Sequence, residues 1–259
     1  SDRLARPLRI EAETLAIDFP WPAWPPLRTA MSCRADASIV FDGGADEATL
    51  TPGVPFDVIR DPSFVPWRQA ELIFQNADGL SRGFGVEIDG QAYFFPLIVM
   101  LFHEVSNQAL GGRQFAVTYC PLTDSAAMLD TGLDPNALPK FHDFSPSGLF
   151  NSNLMVSVLE RPVDRRTLIS QMLGFAVRGP DAGTCPPIHP GILTEISVWR
   201  VMHPDTQVLI GDPALMDRYD YRQRPNPYRD YWTNNSELRA EVARLDDRLP
   251  HTQRVFGIM

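Results

Sequence analysis

The stretch Gly83-Phe84-Gly85-Val86-Glu87-Ile88-Asp89-Gly90-Gln91-Ala92-Tyr93-Phe94-Phe95 decides the fold class. Apolar residues alternate with small or polar ones up to Ile88, Asp89-Gly90 is a favoured type I′ turn, and an aromatic run returns after it. This predicts an antiparallel hairpin. Gly111-Gly112 then opens residues 114–119, whose β-branched and aromatic content predicts a central strand, with residues 125–129 paired to it. Residues 153–159 and 174–178 read as further short strands, divided by the polar stretch 160–167 and followed by a turn at residues 179–183. Helical signals are few. Residues 97–104 predict one or two turns, 194–202 a short helix with Thr194 as N-cap and His203-Pro204 as stop, and 236–244 a helix capped by Ser236. Residues 207–210 read as a strand.

Composition points the same way. The 24 prolines among 259 residues are roughly twice the usual share of about 5%. Proline fixes φ and removes a donor, which favours turns and short strands over long helices. The expected class is α+β, a predominantly antiparallel sheet or partly closed barrel with a few short helices. Residues 1–54 read as an N-terminal extension packed on the core, its tract Phe19-Pro20-Trp21-Pro22-Ala23-Trp24-Pro25-Pro26 extended along a surface. Residues 55–259 read as a single β-rich domain. Near the end, Arg254-Val255-Phe256-Gly257-Ile258 echoes Arg82-Gly83-Phe84-Gly85-Val86, as the start of a second copy, a strand closing the sheet, or a chance match.

A net charge of −9 without a basic stripe argues against nucleic-acid binding, which needs clustered Lys and Arg. The longest apolar run, residues 94–102, contains a proline and falls well short of the roughly 20 residues that span a bilayer. Residues 1–11 carry arginines with no apolar segment behind them, unlike a signal peptide. The compartment stays open between the cytoplasm and export after removal of a signal. Cys33, Cys120 and Cys185 are odd in number and far apart, so they spell no disulfide framework and no zinc motif, and at least one thiol is expected. No P-loop or strand-linked GxGxxG is present, which argues against a nucleotide cofactor.

Several uncommon strings recur in order: Phe84 to Leu97 (FGVEIDGQAYFFPL), His103-Glu104-Val105-Ser106-Asn107, Gly111-Gly112, Val117-Thr118-Tyr119-Cys120-Pro121-Leu122 and Ser147-Gly148-Leu149-Phe150-Asn151. With later matches such as His203-Pro204-Asp205-Thr206 and Asp246-Asp247-Arg248-Leu249-Pro250, the chain resembles the bacterial and archaeal family called domain of unknown function 3179 over roughly residues 55–259. The family carries no assigned activity, and its members often have export signals and a second, shorter copy of the opening strands. Its pattern reads HEIVND, VTYCPLCGTA and SGLLYNS. This chain has Thr123 where the pattern has a second cysteine, Asp124 and Ser125 where it has Gly-Thr, and Phe150 where it has tyrosine. Any metal or redox role of the family's cysteine pair would have only half its ligands here.

The candidate chemistry centres on two residues. Cys120 ends the predicted central strand, and reads as a nucleophile, a metal ligand or a small buried hydrophobe. His103 follows the apolar run and would project beside it as base, as ligand, or simply as a partner of a loop carbonyl. A neighbouring imidazole would stabilise a thiolate. Asn107, Asn151 and Asn153 read as loop residues that bind a polar ligand or satisfy a turn, and Gln171 as a donor into a pocket or within the sheet. Ser147 lies in an apparent tight turn without the spacing of a nucleophile elbow. His142, His189, His203 and His251 lack metal-ligand spacing to one another.

The resulting expectation is a small-molecule enzyme of unassigned reaction, placed in bacterial secondary metabolism. Its pocket would be formed by His103, Cys120 and Asn151, with Phe102, Tyr119 and Phe150 as apolar walls and Gln171 as a further substrate contact. Two alternatives stand beside it: a non-catalytic protein binding copper, zinc or iron through His103 and Cys120, and an interaction module docking a partner through the Pro/Trp tract.

Overall fold

The computed structural model describes residues 58–60, 62–74, 82–131, 143–150, 153–158, 166–182, 184–219 and 228–233. Every described residue belongs to the unit Ala35–Met259. In chain order the first elements are β1 (Ile59–Arg60), β2 (Phe64–Pro66), α1 (Trp67–Phe74), β3 (Arg82–Ile88), β4 (Gln91–Pro96) and α2 (Leu97–His103). Then come β5 (Val105–Leu110), β6 (Arg113–Cys120), β7 (Ser125–Asp130), β8 (Phe144–Phe150), β9 (Asn153–Val158), β10 (Leu168–Ser170) and β11 (Phe175–Arg178). The last are β12 (Ile188–His189), β13 (Gly191–Glu195), α3 (Ile196–Met202), β14 (Gln207–Leu209), a 3₁₀ helix (Pro213–Arg218) and α4 (Arg229–Thr233).

The opening hairpin forms in the predicted register. Ile88 pairs with Gln91, and Asp89 and Gly90 both take positive φ, 49° and 82°, as a type I′ turn requires. Strands β3 and β4 belong to an outer sheet of order β13-β3-β4-β14-β2. A second sheet runs β1-β5-β6-β7-β12 and a third β11-β10-β9-β8. All described strand pairs are antiparallel except β1 with β5 and β4 with β14. The molecule is therefore the expected α+β type with antiparallel sheets and short helices, and the described strands form three open sheets rather than a closed barrel.

The second sheet is the middle layer. Along β6, Phe115, Val117 and Tyr119 join a core shared with the hairpin sheet and α2. Ala116 and Cys120 join another core, shared with Leu154, Val156, Val158 and Ile169 of the third sheet. Side chains alternate across a strand, so consecutive residues of β6 enter different cores. A strand buried on both faces is apolar throughout rather than alternating, and Phe115 to Cys120 are all buried.

Three local expectations are corrected. Thr194 is no helix cap: it lies in β13, paired with Gly83 of β3, and α3 begins after Glu195 without a side-chain cap. Ladder pairing along a sheet edge prevails over the capping signal there. Asn107 lies in β5, between β1 and β6, not in a loop. The Val-Ser-Asn-Gln-Ala-Leu string of that strand carries little β signal, but burial between two neighbours supplies what propensity lacks. Ser147 lies within β8, where the register shifts between Pro146 and Leu149 and Gly148 has φ 94°, a bulge rather than a turn. Helix α1 was not foreseen. The Pro/Trp tract, the helix expected at 236–244, the terminal echo, and Asn151, His142, His251 and Asp246-Asp247 lie outside the described residues.

Candidate functional site

The end of β6 and the turn after it carry a polar cluster that runs from the buried Cys120, Asn153 and Gln171 to the half-buried Thr123 and Ser125. Cys120 is 1% exposed and lies outside any disulfide, whereas Cys185 is disulfide-bonded. Burial pushes the Cys120 thiol up, since charge is disfavoured away from water. Hydrogen bonds from the Thr123 side chain and backbone pull the other way, the nearby Glu104 adds to the rise, and the Leu154 backbone lowers it.

Beyond Cys120 the turn folds back so that Thr123 and Ser125 meet two amides from the third sheet. Thr123 Oγ1 and Ser125 Oγ lie 2.8 Å apart, and Ser125 Oγ donates to Gln171 Oε1 at 2.8 Å. Asn153 Nδ2 reaches Thr123 Oγ1 at 2.8 Å, Ser125 Oγ at 3.0 Å and Gln171 Oε1 at 2.8 Å. Backbone groups fix both amides: Met172 N donates to Asn153 Oδ1 at 3.0 Å, and Gln171 Nε2 donates to Ser125 O at 2.9 Å. Their orientation follows from these contacts rather than from a choice between oxygen and nitrogen.

Glu104 acts on Cys120 through its charge. It follows α2 as its C-cap with φ 56°, its N–H returning to Met100 O at 2.8 Å. Its carbonyl accepts from Tyr119 N at 2.7 Å, so the left-handed turn joins helix to sheet. Such a conformation is uncommon outside glycine and asparagine and concentrates at functional sites. Glu104 is 7% exposed, and burial pushes its carboxyl up from 4.5 to about 8. It is mostly protonated at neutral pH and therefore a proton donor.

His103, one residue earlier, is engaged elsewhere. Its Nε2 lies 2.6 Å from Tyr219 Oη, which in turn accepts from Asp212 N at 3.0 Å. With the Asp212 N–H filling one lone pair, the phenol proton is available for Nε2. Tyr219 belongs to the core beneath the hairpin sheet and Cys120 to the core beneath the third sheet. The contacts described for the imidazole are thus on the first core, and those for the thiol are on the second.

The other expected residues divide likewise. Phe102 packs on Tyr219 at 5.9 Å between ring centroids, and Tyr119 faces the first core and donates to Asp124 Oδ1 at 2.9 Å. Asp124 Oδ2 is held by Arg82 Nη2 at 3.0 Å. Burial, then Asp124, push the Tyr119 phenol up. Gln171 lies in the polar cluster with Cys120. Asn107 is structural in its contacts, bonding Asp143 and both ends of its amide to Phe144. Phe150 pairs with Asn153 in β8 and β9. Among the described residues no three His, Cys, Asp or Glu side chains cluster as a metal ion would need. No described helix is long and apolar enough to cross a membrane.

Sequence reasoning passed over Glu104, although a lone acid directly after an apolar run was a readable signal. It also marked Thr123 and Ser125 only as departures from a pattern. Neither residue type announces a site by itself; the third sheet makes one of them.

Fold and site together define a three-sheet α+β protein with a buried acid, a thiol and a hydroxyl-amide cluster at a strand-end turn. The chain belongs to the family described as a protein of unknown function (DUF3179), whose model matches residues 53–259. No curated protein and no solved structure matches it.

Proposed function

We propose that this protein is a small-molecule enzyme that uses Glu104 as its proton-transfer group, with Cys120 beside it and Gln171 and Asn153 as polar substrate contacts. The observation that carries this reading is Glu104 itself. A carboxylic acid 7% exposed, in left-handed backbone and pushed up by burial to about 8, carries a folding cost of the kind that functional sites retain. Carboxyl groups tuned toward neutrality by burial are what general acid catalysis needs. His103 serves this arrangement indirectly, because its contact with Tyr219 anchors the end of α2 from which Glu104 turns.

The test is whether small molecules reach this cluster in the folded protein. Wild type and Glu104→Gln are treated with iodoacetamide across a urea series, and modification of Cys120 is read by mass spectrometry. An enzyme site admits the reagent at a rate independent of urea below the unfolding transition, with a pH profile that changes in Glu104→Gln. Modification that follows global unfolding alone makes the cluster a sealed core and refutes the proposal. Metal found in protein purified without additions would instead favour the binding reading.

A further inference from the structure

The polar cluster has a property that simple structural satisfaction does not require: every member finds a partner whether or not the sulfur carries a proton. Consider Cys120 as the thiol. The S–H donates to Thr123 Oγ1, the side chain with which Cys120 is hydrogen-bonded, Thr123 donates to Ser125 Oγ, 2.8 Å away, and Ser125 donates to Gln171 Oε1 at 2.8 Å. Consider it as the thiolate. Thr123 turns its hydrogen to the sulfur, so the hydrogen bond between them reverses its direction. Ser125 keeps Gln171, and Asn153 Nδ2 still supplies Thr123 and Ser125 at 2.8 and 3.0 Å. A single hydroxyl rotation converts one arrangement into the other.

Nothing else in the cluster has to move. The Asn153 and Gln171 amides are held by backbone partners at Met172 and Ser125, so the acceptors that Thr123 chooses between are fixed. Asn153 and Gln171 are buried and Thr123 and Ser125 half-buried; partly satisfied networks away from water are costly, and one satisfied in both charge states lowers the cost of ionising the sulfur. We propose that Thr123 is a positioning residue, a hydroxyl switch that turns toward Ser125 when Cys120 is a thiol and toward Cys120 when it is a thiolate. The inference rests on the enzyme reading above and assigns the group that supports the thiolate there.

Of the titratable and charged groups, Glu104 at the end of α2 raises the thiol, and Tyr119, whose phenol Cys120 pushes up, is bonded to Asp124 and through it to Arg82. From the third sheet the described cluster receives only the neutral Asn153 and Gln171. Thiolate absorbance is followed during alkaline titration of wild type, Thr123→Ser, Thr123→Val and Ser125→Ala, each corrected with Cys120→Ala. Thr123→Ser should titrate with wild type, and Thr123→Val should move upward by about one to two pH units, the size of a hydrogen bond to a charged group.

Ser125→Ala should move the opposite way, because it removes the competing acceptor and leaves the sulfur as the target of Thr123. General loosening of the fold would shift both variants in the same direction. Coincidence of Thr123→Val with wild type, or an upward shift in Ser125→Ala, overturns the switch. The titration needs no reagent to enter, so a sealed cluster that defeats the enzyme reading would be recognised separately, by alkylation.

Discussion

Replacing Glu104 with glutamine should make the protein progressively more stable, relative to wild type, as pH rises. Glutamine keeps the shape of the protonated acid and never ionises. The wild-type carboxyl is pushed from 4.5 in the unfolded chain up to about 8 in the folded one. Below 4.5 both states hold the proton, and the group contributes nothing to the pH dependence. Between 4.5 and about 8 the folded state binds more protons than the unfolded state, so stability falls with pH. At 1.36 kcal/mol per pH unit, the loss is about 3 kcal/mol by pH 7 and about 5 kcal/mol when ionisation is complete. Urea unfolding of both proteins at constant ionic strength, stepped across this window, yields the difference directly. Other titrating groups cancel in it. A difference that stays flat would show that the acid ionises as freely in the folded protein as in water, and Glu104 would lose its role.

Tyr219→Phe should cost about 2–6 kcal/mol in urea unfolding, because it strips partners from both His103 Nε2 and the Asp212 N–H, each worth about 1–3 kcal/mol when buried and unpaired. Trp232→Phe should cost about 1 kcal/mol by removing the indole donor to Pro121 O at 2.8 Å, and should alter Cys120 alkylation, since that carbonyl immediately follows the thiol residue. Gly85→Ala should lower the thermal midpoint sharply: the added methyl would lie 2.6 Å from the Trp199 ring, and that ring is tied through Nε1 to Thr206 Oγ1 at 2.9 Å.

The hairpin, β6, β7, β9 and β11 were legible because their signals are local. A type I′ turn is written in two residues, and a strand packed on both faces is written in an unbroken apolar run. Strand β5 was illegible for the converse reason. Nothing in Val-Ser-Asn-Gln-Ala-Leu demands extension, and its place is set by β1 and β6, one of them distant in the chain. Thr194 misled in the same way, since its β3 partner Gly83 is over a hundred positions upstream. Capping rules see only the residues that follow.

The site shows the same division more sharply. Reading His103 and Cys120 as one site drew on motif order, in which both residue types stand close to the central strand. The middle sheet has two faces, however, and alternation along β6 gives Tyr119 to one core and Cys120 to the other. Which core a residue enters is decided by parity along the strand and by what packs above it. Parity could have been counted from the sequence: Phe115, Val117 and Tyr119 are odd-numbered, while Ala116, Thr118 and Cys120 are even. What could not be counted is that a third sheet would cover the even face and bring Asn153 and Gln171 to Thr123 and Ser125. The chemistry around the thiol is therefore set by two segments roughly thirty and fifty residues downstream. Glu104, which acts on the thiol through its charge, is itself the left-handed residue that turns the chain from helix into sheet. A substitution that relaxes that turn, such as Glu104→Gly, should preserve the fold yet remove the acid, whereas Glu104→Gln keeps the turn's cost and removes only the ability to ionise. Comparing the two in Cys120 alkylation separates the carboxyl's charge from its backbone geometry, and an identical rate in both would assign the whole effect to the charge.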